Sequence, residues 1–423
     1  MQRHPHHEEH TPQHETIPLF SRHISLGQES FEDERGIHGK LCGGTWTQKG
    51  IRITQLVIPI VIAFIILMAF RSNRTLEIVP IEKAREHMLD IGGGLTLWYR
   101  VWGNRKSGIP ILFVHGGPGN AIADYDNGNK RFFDSNKFLV IEVDQRGTGR
   151  SQPSLRDDCE NWKYYKDISI DKMSHDFELV RRALNVEKWL VFGGSWGSTL
   201  AIDYTERYPQ RALGLIVRGI WLNTRPEFDA IFIREPYLDN KKRLAEFDTW
   251  LELAHDDVLL EGEAELDNND GERFFRIYER MIQRCDQNAI WRWFAWENNM
   301  MEEDPANLVD PFTPDMEKMP EATSVAFFEN SLFLHGTFDQ PMDLLAGVHH
   351  LKGVNTWICQ GLSDEVCPAQ YGGAKLAQAL VDIGVPTRAQ FLDAGHEDTD
   401  PLIARCLKES VEDFLKTMKE QKT

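Results

Sequence analysis

The sequence predicts an α/β protein built on a doubly wound, mostly parallel sheet that a helical insertion interrupts. Three observations carry this prediction. Short apolar, β-branched runs alternate with helix-spaced segments from about residue 88, the alternation stops between about Asn223 and Leu345, and two more such runs follow near the end of the chain. Continuous apolar strands suit a parallel sheet covered on both faces, because neither face meets water.

The elements follow in order. "MLDIGGGLTLWYRVWG", residues 88–103, places two alternating segments around three glycines, the pattern of an antiparallel hairpin. "IPILFVHGG", "KFLVIEVDQRG", "KWLVFGGSWG" and "ALGLIVRGIW" are short apolar runs that each end in glycine or a polar turn. Helical spacing marks "SHDFELVRRALNV" and "STLAIDYTERYPQR" between them. Aromatic and acidic helix-like segments then replace strands until "VNTWICQG" and "TRAQFLDAGHE". The acidic stretch "AHDDVLLEGEAELDNNDGE" within the insertion reads as a solvated loop.

The part before residue 73 differs from the rest. Residues 1–50 are polar and rich in histidine (His4, His6, His7, His10, His14), which predicts a flexible tail that cannot bury enough surface to fold. Residues 51–70, whose apolar run Leu56–Phe70 lies between Arg52 and Arg71, just reach across a bilayer as a helix with their polar start in the headgroups, which predicts a single uncleaved membrane anchor at 51–72. The expected organisation is a tail at 1–50, an anchor at 51–72, a first part of the α/β core at 73–222, a helical cap at 223–345 and the rest of the core at 346–423. The formal net charge of −18 excludes sequence-independent nucleic-acid binding, whose phosphates it would repel. Six cysteines are scattered without a C-x-x-C pair, which predicts free thiols facing the cytosol or another reducing space, and neither a zinc site nor any other metal centre.

Ser195 stands in "GGSWG" between an apolar strand and a helix, so its hydroxyl projects above the carboxyl edge of the sheet from a sharp turn. A serine hydroxyl is inert without a base, and the base needs an orienting acid. Asp364 after "TWICQG" and His396 after "AQFLD" supply them in the order Ser, Asp, His. Glu365 is a neighbouring acid, while His349 and His350 precede both late strands and break the order. Chemistry at a carbonyl also needs donors for an oxyanion. "HGGPG" follows a strand, so a backbone N–H of Gly116 or Gly117 with that of Trp196 can form the hole.

"HGGPG", "DQRGTGRS", "GGSWGSTL" and "AGH", in this order and spacing over residues 88–420, resemble the proline iminopeptidase family of α/β-hydrolases. The resemblance implies an α/β-hydrolase fold with a helical cap, Ser195 as nucleophile, His396 as base and Asp364 as its orienter. It also implies two cap carboxylates that grip the substrate amine, matched by Glu297 in "FAWENN" and Glu329 in "FFENSLF". A protonated proline nitrogen is a cation that such a pair would stabilise on desolvation. The chain departs from the family pattern at "GLSD", where an aromatic usually precedes the aspartate. Trp291, Trp293 and Trp296 beside Glu297 either wall a pyrrolidine pocket or pack the core. The expected function is a membrane-anchored serine aminopeptidase that needs no cofactor and releases N-terminal proline from peptides through an acyl-enzyme. The alternative is a membrane-anchored esterase or lipid-acyl hydrolase using the same three residues.

Overall fold

The computed structural model describes residues 78–125, 128–302 and 305–421. An antiparallel start, β1 (Ile78–Val79), β2 (Arg85–Gly92) and β3 (Leu95–Asn104), leads into the strands β4 (Ile109–Val114), β5 (Phe138–Val143), β6 (Trp189–Gly194), β7 (Ala212–Arg218), β8 (Thr356–Gly361) and β9 (Thr387–Leu392). They form one nine-stranded sheet in the order β1-β3-β5-β4-β6-β7-β8-β9, with β2 also paired to β3. Pairing is parallel from β5 through β9. Side chains on a strand alternate between faces. Accordingly Leu112, Val114, Val191, Leu215 and Val217 join one buried cluster. Ile111, Phe113, Leu190, Phe192 and Ile216 join another.

Helices cover both clusters. α1 (Ile170–Ala183) and α2 (Trp196–Arg207) contribute Met173, Phe177, Val180, Leu200 and Ile202 to the first. Between β7 and β8 run α3 (Arg225–Phe232), α4 (Lys241–Glu261), α5 (Gly271–Gln283), α6 (Gln287–Met301), α7 (Met319–Leu334) and α8 (Leu344–Gly347), with a π-helical turn, His335–Asp339, after α7. After β8 come α9 (Gly373–Asp382) and α10 (Pro401–Glu420), whose Ile403, Leu407, Val411 and Phe414 fill the second cluster. The insertion has its own aromatic core: the Trp250 ring lies 5.0 Å from that of Trp293 and 5.2 Å from that of Trp296. These tryptophans pack the core.

Four expectations change here. The acidic stretch is helix as far as Glu261, since Ala254 and Val258 bury one stripe, and it ends on Gly262 in the left-handed region (φ 69°). Its acids pair outward, Asp257 with Arg280 and Arg284, and Glu261 with Arg284. Expected free thiols are instead two disulfides, Cys159–Cys285 and Cys359–Cys406, which join residues 126 and 47 positions apart. Folding brings together cysteines whose spacing carries no signal, and such bonds persist in oxidising surroundings, so the ground for a reducing compartment is gone. Only Cys367, which is buried, is free among the described residues. Finally, the expected membrane localisation is corrected. No helix among the described residues is long and apolar enough to cross a membrane. The two longest, α4 and α10, carry charged residues along their exposed faces. The tail at 1–50 and the anchor expected at 51–72 lie outside the described residues.

Candidate active site

The turn after β6 determines where Ser195 points. Ser195 adopts φ 55° and ψ −135°, a strained conformation for a residue with a side chain, between β6 and the first turn of α2. The neighbouring glycines are there for space. A Cβ on Gly193 would lie 2.2 Å from the carbonyl oxygen of Gly197, and one on Gly197 would lie 2.3 Å from that of Val114.

Asp364 and His396 leave the carboxyl ends of the next parallel strands. Asp364 is fixed from its backbone side: Oδ1 accepts from the N–H groups of Val366 at 3.0 Å and Cys367 at 2.7 Å. The Nε2 of Gln360 donates to its Oδ2 at 3.3 Å. His396 Nδ1 lies 2.9 Å from Asp364 Oδ2 and 3.0 Å from Oδ1. On the other side of the ring, Nη1 of Arg218 lies 3.3 Å from Nε2. A guanidinium can only donate, so Nε2 accepts and Nδ1 carries the proton that Asp364 receives. The hydroxyl of Ser195 makes no hydrogen bond among the described residues, although Ser195 and His396 line one cavity of about 320 Å³. Such contacts often tighten only when substrate is present.

The two glycines proposed for an oxyanion hole differ. Gly116 already donates its N–H to the Tyr125 hydroxyl at 2.7 Å. Gly117, at φ 106°, lines the cavity with Ser195. Trp196 opens α2, where N–H groups have no partner within the helix. Its indole Nε1 donates to Gln145 Oε1 at 3.2 Å, and the Gln145 backbone N–H donates to His115 Nε2 at 3.1 Å. That chain ties the Ser195 turn to the "HGGPG" loop. Burial drives the His115 pKa down to about 4, so this ring is neutral and structural.

Glu297 on α6 and Glu329 on α7 open into the same cavity as Ser195. α6 starts where Asp286 accepts from the N–H groups of Asn288 and Ala289. Glu329 is buried; its Oε2 accepts from Trp293 Nε1 at 2.7 Å while Oε1 has no hydrogen-bond partner among the described residues. Desolvation pushes the Glu297 carboxyl up to about 7, with His396 opposing and Asp364 adding to the shift. Desolvation and then the Glu297 charge push Glu329 well up. A second, narrow apolar pocket beside Ser195 is lined by Trp221, Phe232, Met300 and Phe333.

Residues 109–397 match the alpha/beta hydrolase fold family. The chain is 30% identical over 314 residues to a proline iminopeptidase of Neisseria meningitidis serogroup B, covering 73% of this chain and 89% of the relative. It is 31% identical to a proline iminopeptidase of Arabidopsis thaliana, covering 79% of this chain and 80% of the relative. A probable proline iminopeptidase of Leptolyngbya boryana is 32% identical, covering 78% and 93% of the two chains. The chain belongs to the proline iminopeptidase family. It is a serine hydrolase of the prolyl aminopeptidase type, on an α/β-hydrolase fold. Three residues near the site of this proline iminopeptidase relative escaped the sequence reading: Arg218, Tyr125 and Gln360. Arg218 left a signal, since it is a lone charge ending an otherwise apolar strand in "GLIVRG". Tyr125 and Gln360 left none.

Proposed function

We propose that the protein removes an N-terminal proline from peptides through an acyl-enzyme, with residues 223–345 acting as a cap that reads the free amine. Ser195 Oγ attacks the prolyl carbonyl as its proton passes to His396 Nε2, and Asp364 stabilises the imidazolium through Nδ1–H. The oxyanion is held by the N–H groups of Gly117 and Trp196; the commitment of the Gly116 N–H to Tyr125 favours Gly117. Nε2 then gives its proton to the leaving nitrogen. Water enters, loses a proton to Nε2 and releases proline, and the proton returns to Ser195.

The observation that carries this reading is the pair of desolvated carboxylates, Glu297 and Glu329, in the cavity that holds Ser195. One oxygen of Glu329 lacks a hydrogen-bond partner among the described residues. A protonated secondary amine offers two N–H donors and a positive charge, which answers both deficits.

Two experiments test it. Ser195→Ala is expected to abolish hydrolysis of prolyl arylamides while leaving the circular dichroism spectrum intact, because the hydroxyl fills no core space. Activity at the wild-type level would remove Ser195 from the mechanism. Glu297→Gln or Glu329→Gln should lower kcat/KM for prolyl arylamides by about 2–5 kcal/mol, the range for truncating one partner of a buried charge pair. Hydrolysis of a small ester without an amine should barely change. Equal losses on both substrates would mean that the glutamates hold the insertion together and bind no amine.

A further inference from the structure

One cation of the cavity touches the base but has no assigned substrate group. Arg218, the last residue of β7, is only 7% exposed and lines the cavity with Ser195, Glu297 and His396. Its Nη1 donates to the carbonyl oxygen of His396 at 3.1 Å, besides the contact with Nε2. The acids that act on it are Asp398, Glu397 and Asp364, yet Asp398 is paired with Arg131 and Asp364 with His396. No carboxylate forms an ion pair with Arg218 among the described residues. Burial opposes its charge, yet Asp398 and Glu397 hold its pKa above the ordinary value from a distance, so the guanidinium is charged without a direct carboxylate contact.

We propose that Arg218 binds the free α-carboxylate of the residue that follows proline, so that the preferred substrates are zwitterionic dipeptides of the form Pro-X. The inference rests on the aminopeptidase reading above. Its geometric ground is His396 Nε2, which must come within about 3 Å of the leaving nitrogen to protonate it. In a dipeptide the carboxylate carbon is separated from that nitrogen by the α-carbon alone. A guanidinium 3.3 Å from the same Nε2 is therefore within reach of the carboxylate, and its planar fork matches two carboxylate oxygens. The Tyr125 hydroxyl, which accepts from the Gly116 N–H, lines the same cavity.

Charge gives an independent ground. The cavity, whose wall also carries Asp124, Glu321, Glu397, Asp398 and Arg131, holds the Glu297 and Glu329 carboxyls and the Arg218 guanidinium, which are not ion-paired to one another. A ligand with an ammonium at one end and a carboxylate at the other compensates both. A longer peptide places a neutral peptide group where Arg218 needs an anion.

The test compares kcat/KM for prolyl-glycine and prolyl-glycinamide with the full-chain protein, its Arg218→Met variant and its Arg218→Lys variant. The wild type should favour the dipeptide by roughly tenfold or more, as a desolvated charge pair warrants. In Arg218→Met that preference should collapse towards one, and Arg218→Lys should restore part of it. Equal wild-type rates on both substrates, or a preference that survives in Arg218→Met, would overturn the carboxylate assignment and leave the aminopeptidase reading standing. Cleavage of neither substrate by a wild type that hydrolyses esters would overturn both. If Arg218→Met does not fold, the wild-type ratio decides alone.

Discussion

Glu297 and Glu329 must be ionised to hold an ammonium, and their burial opposes ionisation. With the Glu297 carboxyl pushed up to about 7 and that of Glu329 well up, much of the pair is protonated in mildly acidic solution. Raising the pH through about 7 removes the Glu297 proton and makes the site more anionic. The ratio of kcat/KM for a prolyl arylamide to that for a simple ester should therefore rise with pH through about 7. Both reactions use the same proposed Ser195, His396 and Asp364, so pH effects on that machinery cancel in the ratio. A flat ratio between pH 5.5 and 8 would exclude the glutamates from amine binding. At this scale the sequence was informative where chemistry ended a strand. Ser195, Asp364 and His396 each follow an apolar run with turn residues beside them, and Asp364 and His396 meet at 2.9 Å. Arg218 also ends a strand, but a lone arginine there reads as a solvated terminus. Tyr125 reaches Gly116 through a short 3-10 turn, Ile122–Tyr125, for which no periodicity exists.

The Cys159–Cys285 bond joins the short helix after β5, Cys159–Tyr164, to the junction of α5 and α6. α6 then carries Glu297, so the bond fixes the start of the helix that supplies one cavity carboxylate. Closing so long a loop restricts the unfolded chain strongly, and loss of a native disulfide typically costs about 2–5 kcal/mol. Cys285→Ser should accordingly lower the denaturant midpoint, and mild reduction of the wild type should bring it towards the same value. Cys359 and Cys406 are fully buried and should resist that reductant. An unchanged midpoint in Cys285→Ser would mean that packing alone seats α6. The elements with strong periods were legible in the sequence: the hairpin around Gly92–Gly94, the strands and the helix after Ser195. The disulfides were not, because pairing across 126 residues is set by topology. The acidic stretch was misread because its charges outnumber the two apolar residues, Ala254 and Val258, that bury the stripe of α4.

Across the whole molecule, several buried carboxyls are held above their ordinary range by desolvation: Glu227 at about 7, Glu206 at about 9 and Asp144 at about 6, besides the cavity pair. Each binds its proton more tightly in the folded chain than in the unfolded one. Where the folded state holds more protons, stability falls as pH rises. These groups therefore favour the fold fully below pH 4, and the benefit is lost between about pH 4 and 9. The net charge of −18 adds self-repulsion over the same interval. The melting temperature should be higher near pH 5.5 than near pH 8.5, and a prolinamide ligand should recover part of the difference by compensating Glu297 and Glu329. A melting temperature that climbs with pH would contradict this. The sheet order also has a consequence in time. β7 and β8 pair in parallel, with Leu215 opposite Thr356, across the entire helical insertion. A ribosome therefore delivers Ser195 and then seven helices before the strand that leads to Asp364, and His396 arrives later still. On the proposed mechanism a chain released early carries the serine without its base, so hydrolytic competence belongs to finished molecules and aborted translation products are inert.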